Sequence, residues 1–169
     1  MPEDATSAGR VAVIGVGNIL MGDDGIGVAV IEALRKEDLP GQVELYDAGI
    51  ALSDVLATIG DCARVILVDS CKAGEKPGTI YRSTCRSEEW ETTSLGDSLH
   101  DINVVHALQL HHLAGGNLGE VVLVGIEPKE FAFLHEGLSS VLQERLPAIL
   151  QAVRDELAIP SELRRGGTR

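Results

Sequence analysis

Aromatic side chains are scarce in this sequence, because phenylalanine, tryptophan and tyrosine together make up only 3% of its 169 residues. Hydrophobic residues still reach 44%, so aliphatic side chains must build the core, and the length suits one domain. Basic residues are also few, with 14 Lys and Arg against 26 Asp and Glu, for a net charge of -12. Since nucleic-acid binding depends mainly on Lys and Arg, this charge balance argues against a nucleic-acid partner.

Cysteine is rare as well, and the three cysteines Cys62, Cys71 and Cys85 form no C-x-x-C pair. This spacing argues against a structural zinc or iron–sulfur site and suits a reducing compartment. No apolar run approaches the ~20 residues that a membrane span requires. The acidic start MPEDATSAGR also differs from a signal peptide. We therefore expect a cytoplasmic protein without a membrane partner.

Apolar runs alternate with segments of helical periodicity along the chain. Continuous runs such as residues 63–68, ARVILV, predict strands that are buried on both faces. The alternation predicts an α/β fold: a three-layer α/β/α sandwich with a mainly parallel, five-stranded twisted sheet and helices on both faces. We expect residues 1–169 to form a single domain with its core at about residues 10–157, and flexible ends at residues 1–9 and 158–169.

The stretch GVGNILMGDDGIG, residues 15–27, links the first predicted strand to the first predicted helix. It is similar to the dinucleotide-binding turn G-x-G-x-x-G, but Leu20 stands at the third glycine position. Asp23 and Asp24 make the helix entrance acidic, which should repel a pyrophosphate. Either aspartate can instead cap the helix. A dinucleotide-dependent enzyme is therefore the weaker alternative.

Three candidate ligands belong to segments that this topology can bring together. If the first and third strands are neighbours whose helices leave to opposite faces, a crevice opens at their carboxyl ends, facing Asp24 and Asp69. His100 follows a long polar loop and can join them. Two carboxylates and one imidazole form an open ligand set for a divalent ion. The residue types equally fit a helix cap, a strand end at the surface and a histidine in a mobile loop.

Several short motifs in one order resemble those of the hydrogenase maturation endopeptidases. The match spans nearly the whole predicted fold, about residues 11–153. Besides the stretch at residues 15–27, the matching motifs are DAGI at residues 47–50, VILVDS at residues 65–70, PGTI at residues 77–80, SLHD at residues 98–101, VGIEP at residues 124–128 and GLSSVL at residues 137–142.

The resemblance implies an endopeptidase that removes the C-terminal extension of a nickel–iron hydrogenase large-subunit precursor after nickel insertion. It also implies an α/β/α sandwich and the metal-contacting residues Asp24, Asp69 and His100. The nickel is expected to be contributed by the precursor, although other divalent ions could occupy the site. On this interpretation Asp23 caps the helix and Asp24 is the ligand.

The resemblance leaves the mechanism open between two schemes. The metal polarises the scissile carbonyl or activates water while a carboxylate moves protons, or the metal only docks the precursor and Asp24 or Asp47 is the general base. The candidate catalytic residues are therefore Asp24, Asp47 and Asp69. Gly17 and Asn18 are candidate substrate-binding residues, because glycine allows close backbone approach and asparagine offers donor and acceptor groups.

Two departures from the family pattern affect the neighbourhood of this site. Ile50 replaces the commoner threonine beside Asp47, and Lys129 follows the Glu-Pro pair where an acidic residue is usual. Two further residues are weaker candidates. We predict that His106 is a packed or partly exposed helix residue rather than a ligand, and a cysteine-peptidase pairing of Cys71 with His100 lacks an orienting group. A non-catalytic assembly factor for the same precursor is the main alternative function.

Overall fold

The computed structural model describes residues 9–86 and 99–158. The sheet contains five strands in the order β2-β1-β3-β5-β4. The strands are β1 Val11–Val16, β2 Val43–Gly49, β3 Cys62–Ser70, β4 Ile80–Arg86 and β5 Leu118–Ile126. The flexible ends predicted from the sequence lie almost wholly outside the described residues, as does most of the polar loop expected before His100.

Four α-helices connect or follow these strands. They are α1 Ile26–Leu34, α2 Leu52–Ile59, α3 Leu99–Leu113 and α4 Ser140–Ala158. A short 3-10 helix, Asp23–Gly25, precedes α1. Pro147 lies inside the last helix, and α4 continues through it as one element. None of the helices in the described ranges is long and apolar enough to cross a membrane.

Strand pairing confirms the mainly parallel sheet. The first strand lies between β2 and β3 and is parallel to both. The third strand is also parallel to β5. At the edge of the sheet, β4 runs antiparallel to β5. Because β1 and β3 are adjacent and parallel, the residues that follow them meet at the same edge of the sheet.

Two separate apolar cores cover the two faces of the sheet, which confirms the predicted three-layer sandwich. On one face α1 and α4 pack on the strands. The buried side chains there include Val13, Ile26, Ile31, Ile66, Val122, Leu142 and Ile149. On the other face α2 and α3 pack on the strands. The buried side chains there include Ile14, Leu52, Leu56, Val65, Leu67, Val104 and Leu108.

The predicted helix cap at Asp23 is wrong. The 3-10 helix and α1 begin after Gly22 and Gly25, and neither start has a side-chain cap hydrogen bond, so Asp23 is not a helix cap. Its carboxylate instead accepts hydrogen bonds from backbone N–H groups that are distant in the sequence. The third helix begins at Leu99. Asp101 therefore lies inside its first turns, and so does His100.

Candidate functional site

Asp24 occupies the 3-10 turn between β1 and α1, and only 4% of its surface is exposed. The backbone N–H of Asn18 donates to Asp24 Oδ2 at 2.9 Å, and the Ser70 hydroxyl donates to Asp24 Oδ1 at 2.7 Å. A buried carboxylate needs such donors, because desolvation without them disfavours its charged form. The carboxylate is therefore held by its own turn and by the end of β3.

Gly17 makes this turn possible. Its φ is +134°, a conformation that side chains rarely adopt, and a Cβ built on it would lie 1.8 Å from the carbonyl oxygen of Asp24. Its N–H also donates to the Gly49 carbonyl at 2.8 Å, which joins the turn to the end of β2. Glycine is required here because the backbone of the Asp24 turn folds directly against it.

Asp69 is the penultimate residue of β3, which ends at Ser70. The backbone N–H of Ser70 donates to Asp69 Oδ1 at 2.7 Å. Asp24 and Asp69 line the same open cleft, which has a volume of about 400 Å³ and lies at the carboxyl ends of β1 and β3. The structure thus brings these two predicted site residues to the same cleft.

The remaining lining of the cleft is largely apolar. It comes from the end of β1, the β2–α2 connection and one face of α3, and comprises Val16, Gly17, Gly49, Ile50, Ala51, Leu52, Ser53, Val104, His106, Ala107 and Leu110. The side chains of Ile50 and Leu110 are 82% and 61% exposed. Such a cleft, with largely apolar walls and two carboxylates, suits an extended peptide segment that carries a cationic group.

His106 also lines this cleft, on the exposed side of α3. The sequence predicts a packed or partly exposed helix residue at this position rather than a ligand. In the packed helix Val104 and Ala107 are buried in the core, whereas His106 is exposed. Its place in the lining makes His106 a further candidate for contacting a bound segment, and the prediction that it is not a ligand stays a prediction.

His100 is the third predicted metal-contacting residue, and its side chain lies outside the described residues. Among the described residues, no three Asp, Glu, His or Cys side chains are grouped closely enough to hold a metal ion. Asp24 and Asp69 are the carboxylates among the described residues that line the cleft, and their hard oxygen donors suit a divalent cation when further ligands are added.

Two other predicted residues make local contacts rather than lining the cleft. Asp47 is exposed, and its Oδ1 accepts a hydrogen bond from the Gly49 N–H at 2.9 Å. The side-chain oxygen of Asn18 accepts from the Leu20 N–H at 3.0 Å. Neither Asp47 nor Asn18 belongs to the cleft lining, whereas Gly17 does. These contacts stabilise the two turns that border the cleft.

Asp23, the neighbour of Asp24, holds a distant loop. Only 1% of its surface is exposed, and it accepts hydrogen bonds from the Lys129 N–H at 2.8 Å and the Ser139 N–H at 2.7 Å. The Ser139 hydroxyl adds a third bond at 2.8 Å. The two adjacent aspartates thus have separate tasks, since Asp24 faces the cleft and Asp23 fixes both ends of the segment at residues 129–139.

Glu127 fixes the loop that follows Asp69. It accepts hydrogen bonds from the N–H groups of Ala73 and Gly74 and from the Tyr81 hydroxyl. Burial alone would raise the pKa of Glu127, but these hydrogen bonds outweigh it and lower the pKa. Burial, together with the bond to Glu127, raises the pKa of Tyr81 to about 12. This explains the acidic residue of the VGIEP motif in structural terms.

Cys71, the weak nucleophile candidate, lies on the other side of Asp69. It lines a second cavity of about 190 Å³ together with Asp69, Ser70, Tyr81 and residues of β5. Because it does not line the main cleft, it is separated from the surface that carries Asp24.

Comparisons with known proteins agree with the geometry. The sequence model of the family described as hydrogenase maturation protease matches residues 28–156. The chain is 31% identical over 162 residues to the hydrogenase 2 maturation protease of Escherichia coli, covering 90% of this chain and 97% of that protein.

Solved structures of hydrogenase maturation peptidases are also similar to this chain. The hydrogenase maturating endopeptidase HybD from E. coli superimposes with a TM-score of 0.75 at 29% identity, covering 88% of this chain and 91% of that one. The hydrogenase 2 maturation peptidase from a Thaumarchaeota archaeon superimposes with a TM-score of 0.66 at 30% identity, covering 89% and 99% of the two chains.

Proposed function

Because the chain belongs to the hydrogenase maturation protease family, a family of endopeptidases, we propose that it removes the C-terminal extension of a nickel–iron hydrogenase large-subunit precursor after nickel insertion. One observation carries this proposal: Asp24 and Asp69, from two different elements, line one cleft at the carboxyl edge of the sheet. Carboxylates converging on an apolar cleft suit the binding of a peptide segment beside a cation.

The cleft supports binding of an extended substrate segment. Its walls at Ile50 and Leu110 are exposed and apolar, so a bound segment would cover surface that water now contacts, which is favourable. Gly17 and Gly49 border the cleft with backbone alone, which permits close approach of a second backbone. The substrate-binding role expected for Gly17 agrees with this position. Asn18 would act through the turn that it stabilises.

Nickel enters this proposal as part of the precursor. Carboxylate and imidazole groups are suitable ligands for a borderline divalent ion, and Asp24, Asp69 and His100 are the residues that would contact it. The two carboxylates of the cleft would then favour binding of the nickel-loaded precursor over the nickel-free precursor, because only the loaded form carries a compensating positive charge. When bound, nickel would supply a positive charge beside the scissile carbonyl.

The proposed reaction is hydrolysis of one peptide bond. A water oxygen attacks the scissile carbonyl carbon, the carbon–nitrogen bond breaks, and the departing amine gains a proton. A general base must accept a proton from the water. Asp24 is the favoured base because it lines the cleft, while Asp69 is expected to position the precursor. Asp47 is the alternative base, and it would have to act from the exposed turn that borders the cleft.

The decisive experiment is cleavage of purified precursor, with and without nickel. We expect wild-type protein to shorten only the nickel-loaded form, and Asp24→Asn, Asp69→Asn and His100→Ala to lower the rate by at least about 100-fold. Asp47→Ala is compared in the same assay, since a similar loss would assign the base to Asp47. Asp38→Asn is the matched control, because Asp38 is an exposed aspartate between α1 and β2 at the opposite edge of the sheet.

Absence of cleavage by wild-type protein, with an active relative succeeding in parallel, would contradict the proposal. Tight precursor binding without cleavage would favour the non-catalytic assembly factor. Equal cleavage of precursor with and without nickel would remove nickel recognition while leaving the endopeptidase activity.

A further inference from the structure

Four large apolar side chains are exposed beside the turn that carries Asp24. They are Ile19 and Leu20, which are 46% and 47% exposed, and Phe133 and Leu134, which are 78% and 72% exposed. The first pair follows Gly17 and Asn18, and the second pair lies in the segment at residues 129–139. We call these four side chains the ledge. None of the four lines the main cleft.

Backbone hydrogen bonds join the two halves of the ledge. The Gly22 N–H donates to the His135 carbonyl at 2.8 Å, and the His135 N–H donates to the Leu20 carbonyl at 3.1 Å. Asp23 holds both ends of the second segment from its buried position. The backbone of the ledge is therefore held in place by hydrogen bonds, although its four apolar side chains are exposed to solvent.

Leu134 adopts an unfavourable backbone conformation within the ledge. It is the only non-glycine residue with positive φ in the described ranges, at 54°. The left-handed conformation is unfavourable for a residue with a side chain. Burial of an apolar side chain could offset that cost, but Leu134 is 72% exposed. Strain combined with apolar exposure is typical of a surface that is covered when a partner binds.

Charges around the ledge indicate the character of that partner. A cavity of about 140 Å³ opens beside Ile19, and its lining includes the carboxylates of Glu32 and Glu136. An apolar surface bordered by Lys or Arg would match the ledge and this cavity together. Two copies of this chain meeting at the ledge would bring like-charged borders together, on molecules that each carry a net charge of -12, which opposes self-association.

We propose that the ledge docks the folded body of the hydrogenase large-subunit precursor, through an apolar patch bordered by basic side chains. This inference rests on the proposed function. Ile19 packs on the 3-10 turn, since a Cβ on Gly25 would lie 3.0 Å from the Ile19 Cα. Docking at the ledge therefore fixes the precursor relative to Asp24, while its C-terminal segment occupies the cleft.

The test compares a ledge variant with a matched surface variant. Phe133→Ser combined with Leu134→Asn removes two exposed apolar side chains, and asparagine tolerates positive φ, so the fold is retained. Leu113→Asn is the control, because Leu113 is 80% exposed but lies at the end of α3, outside the ledge and the cleft. Glu136→Lys reverses one charge beside the ledge.

We expect the ledge variant to raise KM for nickel-loaded precursor by at least about tenfold at unchanged kcat. Glu136→Lys should raise KM in the same way, and Leu113→Asn should leave both constants unchanged. Precursor binding is also measured directly in an Asp24→Asn background, where cleavage does not interfere. There the ledge substitutions should weaken the Kd by the same factor.

Unchanged KM and Kd in the ledge variant would overturn the docking assignment, as would an equal loss in Leu113→Asn. A wild-type dimer that the ledge substitutions dissociate would overturn it in favour of self-association. If wild-type protein binds the precursor through the ledge but cleaves nothing, the proposed endopeptidase function fails and the docking assignment stands. The binding measurement thus distinguishes failure of the docking assignment from failure of the proposed endopeptidase function.

Discussion

The Ser70 hydroxyl lies 2.7 Å from Asp24 Oδ1, and this hydrogen bond joins the last residue of β3 to the turn that follows β1. Ser70 is 2% exposed and Asp24 is 4% exposed, so water cannot readily replace the donor. The carboxylate that faces the cleft is consequently oriented by the strand that carries the other carboxylate, Asp69. The two halves of the site therefore depend on each other.

Replacing Ser70 with alanine tests this dependence. We expect Ser70→Ala to lower the free energy of unfolding by about 1.5–3 kcal/mol, because a hydrogen bond to a charged, buried group is lost. It should also lower the kcat of precursor cleavage by roughly tenfold through misorientation of Asp24. Urea unfolding and the cleavage assay measure the two effects. Ser83→Ala, on the exposed edge strand, serves as the control and should change neither.

A methyl group at Gly17 should be strongly destabilising. Gly17→Ala places a Cβ 1.8 Å from the Asp24 carbonyl oxygen at a φ of +134°, so we expect a loss of at least about 2 kcal/mol in unfolding free energy. Gly41→Ala is the comparison, because nothing lies within 4 Å of its built Cβ, and its effect should stay within about 0.5 kcal/mol. Similar thermal unfolding of the two variants would contradict the close packing of the Gly17 turn.

The division of labour between the adjacent aspartates is also testable. Asp23→Asn turns an acceptor oxygen into an amide that cannot accept from both Lys129 and Ser139. We expect faster hydrogen exchange in residues 129–139 and a stability loss of about 1–3 kcal/mol. Asp24→Asn should leave exchange in that segment unchanged while abolishing cleavage. Equal exchange in the two variants would show that Asp23 does not hold the loop.

Acid should weaken a buried ion pair at the far end of β3. Arg64 donates to Glu156 Oε2 at 2.5 Å, and their side chains are 1% and 7% exposed. Arg82 also pairs with Glu156. Burial alone would raise the pKa of Glu156, but the hydrogen bond from Arg82 and the charges of Arg82 and Arg64 outweigh it and lower the pKa.

A lowered carboxyl pKa stabilises the fold above the unfolded-state pKa of about 4.3, and that stabilisation is lost as the pH falls through the folded-state value. At pH 7, Glu156→Gln should therefore lower the free energy of unfolding by about 3 kcal/mol, because Arg64 stays buried with less compensating negative charge. On acidification, the free energy of unfolding of this variant should fall less than that of the wild-type protein. Urea unfolding between pH 7 and pH 3 measures both. Glu144→Gln, exposed on the same helix, should retain the wild-type pH profile.

Much of the fold could be predicted because its strands are nearly continuous apolar runs. Residues 63–68 lie in a strand at their predicted place, since burial on both faces of a parallel sheet leaves no polar alternation. Helix starts were harder to predict. Asp23 is a residue type that commonly caps helices, but its carboxylate accepts hydrogen bonds from backbone N–H groups in the segment at residues 129–139. Local helix propensity contains no information about these long-range donors.

Asp24 and Asp69 could be named from the sequence, but His106 could not be placed. The two aspartates follow strands, and strand ends carry positional meaning in an α/β sheet. His106 lies on a helix of low amphipathic contrast, so whether it faced the core, the solvent or the cleft depended on how α3 packs against α2 and the sheet. Only the packed arrangement shows that it lines the cleft.

The sequence by itself determined the class of fold, the order of its elements and the family, because apolar periodicity and motif order are local properties of the chain. Tertiary structure decided which oxygen of Asp24 meets Ser70, that Asp23 serves a distant loop, and that four apolar side chains from two segments form the ledge. These relationships join residues far apart in the chain. They exist only after the strands have paired and the connecting segments have closed over their carboxyl ends.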